Sequence, residues 1–427
     1  MISKYTSVFN TISISSTLLY LIPLALLTGP FLPDLFLSII AIIFVIEVIV
    51  KKKFNYLNNN FFYISLLFCF YIILRSLFSA DPYLSLESSL FYFRFMLFAL
   101  AVWHLIDHNE NLLKYFTLFF LGSFILALYD GYYQFFNGVN LFGITTPSDR
   151  MSLLFNDKLI LGGYLSRLFP LLIGLILLNF KSNQLNIFLF CTLLILTDIL
   201  IFITGERTAL ALLLLSSVFI IFCISKYKIV RLLTIIVSLT VMIVISFLSD
   251  DVRNRNINQT LNQVGITDNS SQIYIFSEIH QSHIISAYRM FKDNPVFGKG
   301  PKIFRTLCND NKYNYDSNSC SSHPHNSLVQ LLAETGLIGI AFFIAAILYV
   351  IFIAFSHFIS IFRNGKRKLS DFQVCLIACF ILTLWPIAPS NNFFNNWISV
   401  IYYLPVGFYL HSMYNKKNDK KNTQRNL

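Results

Sequence analysis

Apolar runs close to 20 residues long alternate with short polar or basic breaks along nearly the whole chain, and each is long enough to cross a hydrocarbon core of about 30 Å as a helix. The pattern predicts helices at about 11–29, 31–50, 60–79, 85–106, 112–136, 159–180, 184–203, 207–224, 228–249, 331–358, 371–389 and 396–413, about twelve spans in all. The first run, from Ile12 to Leu27, has only Lys4 before it and no small-residue cleavage site after it, so it predicts a membrane helix and not a leader peptide. One long polar stretch, Asp250 to about Gln330, interrupts the series. The expected fold is an all-α polytopic membrane protein in three parts. Nine helices with short loops occupy 1–249, a loop domain 250–330, and three helices with a basic tail 331–427.

Composition closes off the soluble alternative. Of 427 residues, 56% are hydrophobic and only 12% charged, with a mean hydropathy of +0.65, where soluble domains carry roughly a quarter charged residues. The net charge of +11 is a topology signal. With the N-terminus cytoplasmic, the inside segments collect Lys4, Lys51, Lys52, Lys53, Lys114, Lys181, Lys226, Lys228, Arg231, Arg363, Lys366, Arg367, Lys368 and the tail from Lys416 to Arg425, whereas the short outside connections carry Arg150, Lys158 and Arg207. The positive-inside bias therefore puts both termini in the cytoplasm and residues 250–330 outside. The tail follows a membrane helix directly, which suits contact with anionic lipid and not nucleic acid.

Within the outside stretch eight basic residues face seven acids, so no bulk electrostatic patch forms and single residues carry the chemistry. Asp268-Asn-Ser-Ser offers helix caps for a helix of about 271–292, which Asp293-Asn-Pro295 ends. Gly298 and Gly300 mark a turn. A second outside loop, about 137–158, holds Gly138, Gly143, Pro147, Asp149 and Arg150 and is expected nearby. Five of the seven cysteines lie in or beside apolar helices, where cysteine acts as a small hydrophobe. Cys308 and Cys320 lie outside, and a disulfide between them is expected to pin the segment before His323.

Two segments carry candidate chemistry. Arg207, in Thr204-Gly-Glu-Arg207-Thr, sits at the outside junction of two helices, where an arginine is often an interfacial anchor. Arg150, Arg167, Arg289 and Arg305 are expected at the same face, and the planar guanidinium fork suits phosphate oxygens. The second segment is His323-Pro-His325-Asn at the start of a helix. Histidine accepts a proton near neutral pH, and the helix N-terminus favours the neutral imidazole of His325, as a general base requires. The plain alternative is a capping or packing histidine.

Together these features resemble the O-antigen ligase and polymerase-like family of bacterial membrane glycosyltransferases. Gly-Glu-Arg207-Thr-Ala-Leu is similar to the family's Ser-Arg-Thr-Ala element. Arg289-Met-Phe-Lys-Asp-Asn-Pro295-Val-Phe-Gly298-Lys-Gly300 is similar to its loop signature. His325-Asn326 followed by Gly336 matches its His-Asn motif, with Val329 where leucine is usual. The resemblance spans roughly Thr204 to Gly339. It implies a fold of the glycosyltransferase C type in the bacterial inner membrane, metal-free and cofactor-free chemistry, His325 as the catalytic residue, and Arg207 and Arg289 as diphosphate-binding residues. Arg289 is the best available match, because the family often has this arginine nearer His280 and His283. The implied partners are a glycan donor on undecaprenyl diphosphate and a lipid A-core or glycan acceptor, with ligase and polymerase sharing the motifs. Two rivals stand beside this reading. His280, His283, His323 and His325 converging on zinc would make a metalloenzyme, and Glu47, Arg75, Arg94, Arg167 and Asp198 lining a path would make a transporter.

Overall fold

The computed structural model describes residues 2–145, 151, 160–180, 183–264 and 277–425. The hydrophobic runs become α1 (Ile2–Ala25), α2 (Phe31–Val50), α3 (Asn60–Leu77), α4 (Pro82–Ser89), α5 (Phe93–His108), α6 (Leu112–Asn137), α7 (Leu161–Asn179), α8 (Gln184–Ile203), α9 (Arg207–Cys223) and α10 (Lys228–Leu248). The polar stretch forms α11 (Asp250–Arg253), α12 (Gln259–Val264), α13 (Glu278–Asp293) and α14 (Phe304–Leu307). The chain finishes with α15 (Ser327–Asn364), α16 (Asp371–Leu384) and α17 (Asn396–Arg425). No strand occurs among the described residues, and the protein is an all-α polytopic membrane protein. Nine segments among the described residues are long and apolar enough to cross a membrane, with α4 and α5 counting together as Pro82–His108. The shorter apolar helices α9 and α16 stand at two further expected positions.

Several boundaries differ from the periodic pattern, and three of them have a clear local reason. The helix expected over 85–106 starts earlier and breaks near Leu90, because Asp81 caps it through the Leu84 amide with Pro82 in its first turn. The helix expected to run to 389 ends at Leu384, since Pro386 and Pro389 cannot continue it. The helix expected from 331 begins at Ser327, where the Asn326 side chain accepts the Val329 amide, a cap worth about 1 kcal/mol. The expected Asp268 cap, like Pro147, Asp149, Arg150 and Lys158, lies outside the described residues.

Loops sort by end of the bundle. At one end Asp371 accepts the Ser225 and Lys226 amides, and Asp107 meets both Tyr56 and His411. At the other, Ser85 bonds the Pro301 carbonyl, Asp34 joins Arg94 to Asn396, and Glu206 meets Gly162 and Gly163. The second end carries the described residues of the polar stretch, 250–264 and 277–330. The ionisable residues inside the helices are largely neutralised within the fold. Asp198 forms a two-point pair with Arg231, Glu47 takes Thr11 and Lys51, and Arg75 donates to the Phe297 and Gly298 carbonyls. Four of the five residues that a transport path would need are thus held by partners.

Candidate active site

The loop domain is fastened to the membrane helices through backbone. Gly336 interrupts α15 at φ 61°, ψ −166°, which frees carbonyls and amides on either side of the break. The turn after α13 fills them: the Lys299 and Gly300 amides donate to Ala333 and Glu334, and the Leu337 and Ile338 amides donate to Pro295 and Val296. Gly298, at φ 70°, lies so close that a Cβ there would come within 2.5 Å of the Glu334 carbonyl carbon. The two glycine elements read from the sequence are therefore opposite halves of one junction. Tyr71 Oη donates to the Thr335 carbonyl and Arg75 to Gly298, so α3 closes over it.

Around that junction a small second core packs Ala287, Met290, Phe304, Cys308, Tyr313 and Ala333. Cys308 and Cys320 are bonded, with Cα atoms 5.0 Å apart, within the ordinary range for disulfides. Asp293, capping this core, receives Lys299, Lys312 and Tyr313, and the Lys299 bond first of all holds its carboxyl well below the usual range. Deeper in, the Glu334 carboxylate takes the Phe304 amide and the Gln330 amide group, while Gln330 reaches Asn392 and the Phe393 amide.

Residues 385–395, between α16 and α17, form the other wall. The Ser390 amide donates to the His325 carbonyl, the Ser327 and Ser390 hydroxyls pair at 2.8 Å, and Asn326 Nδ2 donates to the Pro386 carbonyl. Sequence reasoning assigned this stretch to a membrane helix and its connection. The only available signal was its Pro-x-x-Pro-Ser-Asn-Asn punctuation.

Between these walls four imidazoles gather. The His325 ring lies 4.1 Å from His323, 5.1 Å from His280 and 5.3 Å from His283, centroid to centroid. Helix periodicity puts His280 and His283 on one face of α13. His325 has φ 53°, in the left-handed region, a conformation that costs a non-glycine residue on the order of 1 kcal/mol or more and marks functional sites. Its tautomer follows from its neighbours. Ser321 Oγ gives its proton to the His323 carbonyl, so it can only accept from His325 Nε2, 3.2 Å away. That leaves His325 Nδ1 as the lone-pair nitrogen. His323 is committed at both nitrogens, donating from Nε2 to the Ser390 carbonyl and meeting Ser322 through Nδ1. Among the described residues no group of three or more His, Cys, Asp or Glu side chains has an arrangement that could hold a metal ion.

All four rings are pushed toward the neutral form. Burial, then the neighbouring His323, takes His325 down to about 3. Burial takes His323 to about 4. His280 is lowered by burial and then by Arg207, and His283 by burial and His280 against the opposing pull of Asp316. The unfolded chain, with histidines near 6.5, binds protons that the folded chain refuses, so this part of the stability is present above about pH 6.5 and is lost as pH falls toward the folded values. The unfolding temperature of the purified protein should therefore drop between pH 6.5 and 4.5, and His323→Gln should lessen that drop. An unchanged drop in the variant would mean that other groups set the acid limit.

Arg207 begins α9 and donates to Thr260 Oγ1 at 2.8 Å and Gln263 Oε1 at 2.6 Å on α12. Its charge reaches His280 and through that ring the His325 cluster. Arg289 points elsewhere, to the Asn314 carbonyl and over the Tyr315 ring at 5.3 Å. The loop arginine whose charge reaches His323 and Glu334 is Arg305. A search of curated proteins finds no match to the chain. Residues 190–344, which run from α8 through Arg207, the loop domain and His325 into α15, match the family described as O-antigen ligase. Residues 190–344 are thus similar to the O-antigen ligase family, which supports a function of the O-antigen ligase or polymerase type.

Proposed function

We propose that the protein transfers a glycan from undecaprenyl diphosphate to a lipid A-core sugar on the periplasmic face of the inner membrane, with both termini cytoplasmic. The observation that carries this reading is the meeting of a neutral, strained histidine with the field of Arg207 at one end of the helix bundle. The lipid tail lies among the helices and Arg207 takes the diphosphate. His325 Nδ1 accepts the proton of the acceptor hydroxyl as the oxygen attacks the anomeric carbon. The bond to the diphosphate oxygen breaks with its electron pair, and arginine stabilises the growing charge, giving inversion. Donor binding brings negative charge beside the imidazoles and raises their basicity above that of the empty site. No metal or cofactor enters this scheme. Arg289 joins Arg207 as the second diphosphate ligand by exchanging the Asn314 carbonyl for a phosphate oxygen.

The family resemblance supports polymerisation as the second reading, with another lipid-linked repeat as acceptor. A deletion strain separates them: undecorated core with accumulated lipid-linked polymer indicates a ligase, and core bearing one repeat indicates a polymerase. Transfer by purified protein tests the chemistry itself. Arg207→Ala should lower it on the order of a hundredfold, and Arg207→Lys, which keeps charge but loses the two-point fork, should recover only part. Full activity of the lysine variant would remove Arg207 from this role.

A further inference from the structure

Arg167 stands apart from the other ionisable residues of the helices. It lies in the second turn of α7, is only 9% exposed, and forms no ion pair with a described carboxylate. Its Nε has no hydrogen-bond partner among the described residues, and neither does the buried hydroxyl of its neighbour Ser166. The one bond it makes is long, from Nη1 to the Gly163 carbonyl at 3.4 Å. That bond draws the guanidinium up toward the start of α7, where Glu206 accepts the Gly162 and Gly163 amides. Glu206 immediately precedes Arg207. The charge of Arg167 also reaches Tyr402, which interacts with Ser327, two residues beyond His325. The chain thus circles from Arg167 by way of Glu206 and Arg207 to His280 and His325, and back through Ser327 and Tyr402. The Glu206 carboxylate is near but out of ion-pair range, with its oxygens engaged by the Gly162 and Gly163 amides, and a buried guanidinium whose Nε has no acceptor is costly unless a ligand supplies one.

We propose that Arg167 is a further anion-binding residue of this site, taking a phosphate of a lipid-borne diphosphate beside the Glu206–Arg207 turn. The inference rests on the donor reading above and adds a ligand that the sequence motifs do not contain. Planar guanidinium groups from α7 and α9 would grip the diphosphate from two sides, and the deeper one would hold it at the level where a lipid tail enters the bundle.

The test uses the full-length protein in lipid nanodiscs with farnesyl diphosphate as probe, and farnesyl monophosphate and inorganic pyrophosphate as comparisons. Arg167→Gln should weaken farnesyl diphosphate binding at least tenfold, and Arg167→Lys less. In the absence of ligand both variants should unfold at or above the wild-type temperature, because an uncompensated charge has been removed or made easier to hydrate. Unchanged affinity in the glutamine variant, or a fall in its ligand-free stability, would overturn the proposal, the latter by making Arg167 a structural anchor. Pyrophosphate binding as tightly as the farnesyl compound would overturn the lipid source. His325→Asn separates this inference from the reading it rests on. It should abolish transfer and spare farnesyl diphosphate binding, whereas normal transfer by that variant would refute the active-site assignment and leave the Arg167 result standing.

Discussion

Replacing His325 with asparagine is expected to lower the proposed glycan transfer by on the order of a hundredfold or more, the usual contribution of a positioned general base, without unfolding the protein. Asparagine is chosen because it tolerates the left-handed backbone that His325 adopts at φ 53°, so the Ser390 amide can still donate to the residue's carbonyl and Asn326 can still cap α15. Farnesyl diphosphate binding and the unfolding temperature serve as controls and should stay close to wild type. Ser321→Ala should act in the same direction more weakly, because it removes the acceptor that fixes His325 Nε2 as the protonated nitrogen. A His325→Asn protein that binds the donor and transfers glycan at the wild-type rate would place the base elsewhere in the cluster, and His280 would be next to examine.

Gly298→Ala is expected to have the largest effect on stability. An added Cβ would meet the Glu334 carbonyl carbon and the Thr335 amide nitrogen at 2.5 Å, and both are backbone atoms that cannot swing aside. The substitution also forces alanine to φ 70°, which costs about 1–2 kcal/mol before any clash is relieved, and overpacking adds about 1–3 kcal/mol. The turn has to withdraw from α15, which breaks the bonds of Lys299, Gly300, Leu337 and Ile338 across the junction. Because α13 carries His280 and His283 and lies on the far side of that turn, activity falls with stability. Gly122→Ala is the control. That glycine is helical with open space around its Cβ position, so the variant should unfold at or above the wild-type temperature. Equal melting of all three proteins would show that the junction is not closed in solution.

The membrane class was readable because hydrophobic length is a local property: about 20 apolar residues in a row have no other common use. Arg207 and His325 could be proposed from motif and position alone, since an arginine at a helix boundary and a histidine at a helix start are unusual locally. Less legible was the second arginine: Arg289 and Arg305 both stand in the loop domain, and the fold engages Arg289 with the Asn314 carbonyl while the charge of Arg305 reaches His323 and Glu334. The wall at 385–395 escaped for a related reason. The apolar start of the stretch, Trp385 to Pro389, continues the preceding helix in composition, and the role of the whole comes from bonds to residues about 60 positions away.

The sequence alone thus determined a helical membrane protein, and it pointed to a cysteine pair that the structure bonds and to residue types proposed to hold a diphosphate and move a proton. The tertiary structure decided which of these meet. It joined Gly298 to Gly336, gathered four histidines into one neutral cluster, fixed which nitrogen of His325 is free, and left Arg167 buried without a carboxylate partner among the described residues. The division has a physical cause. Transfer into lipid depends on short windows of the chain, whereas tautomers, pairing and proton affinity depend on whatever the fold brings within a few ångströms, however distant in sequence.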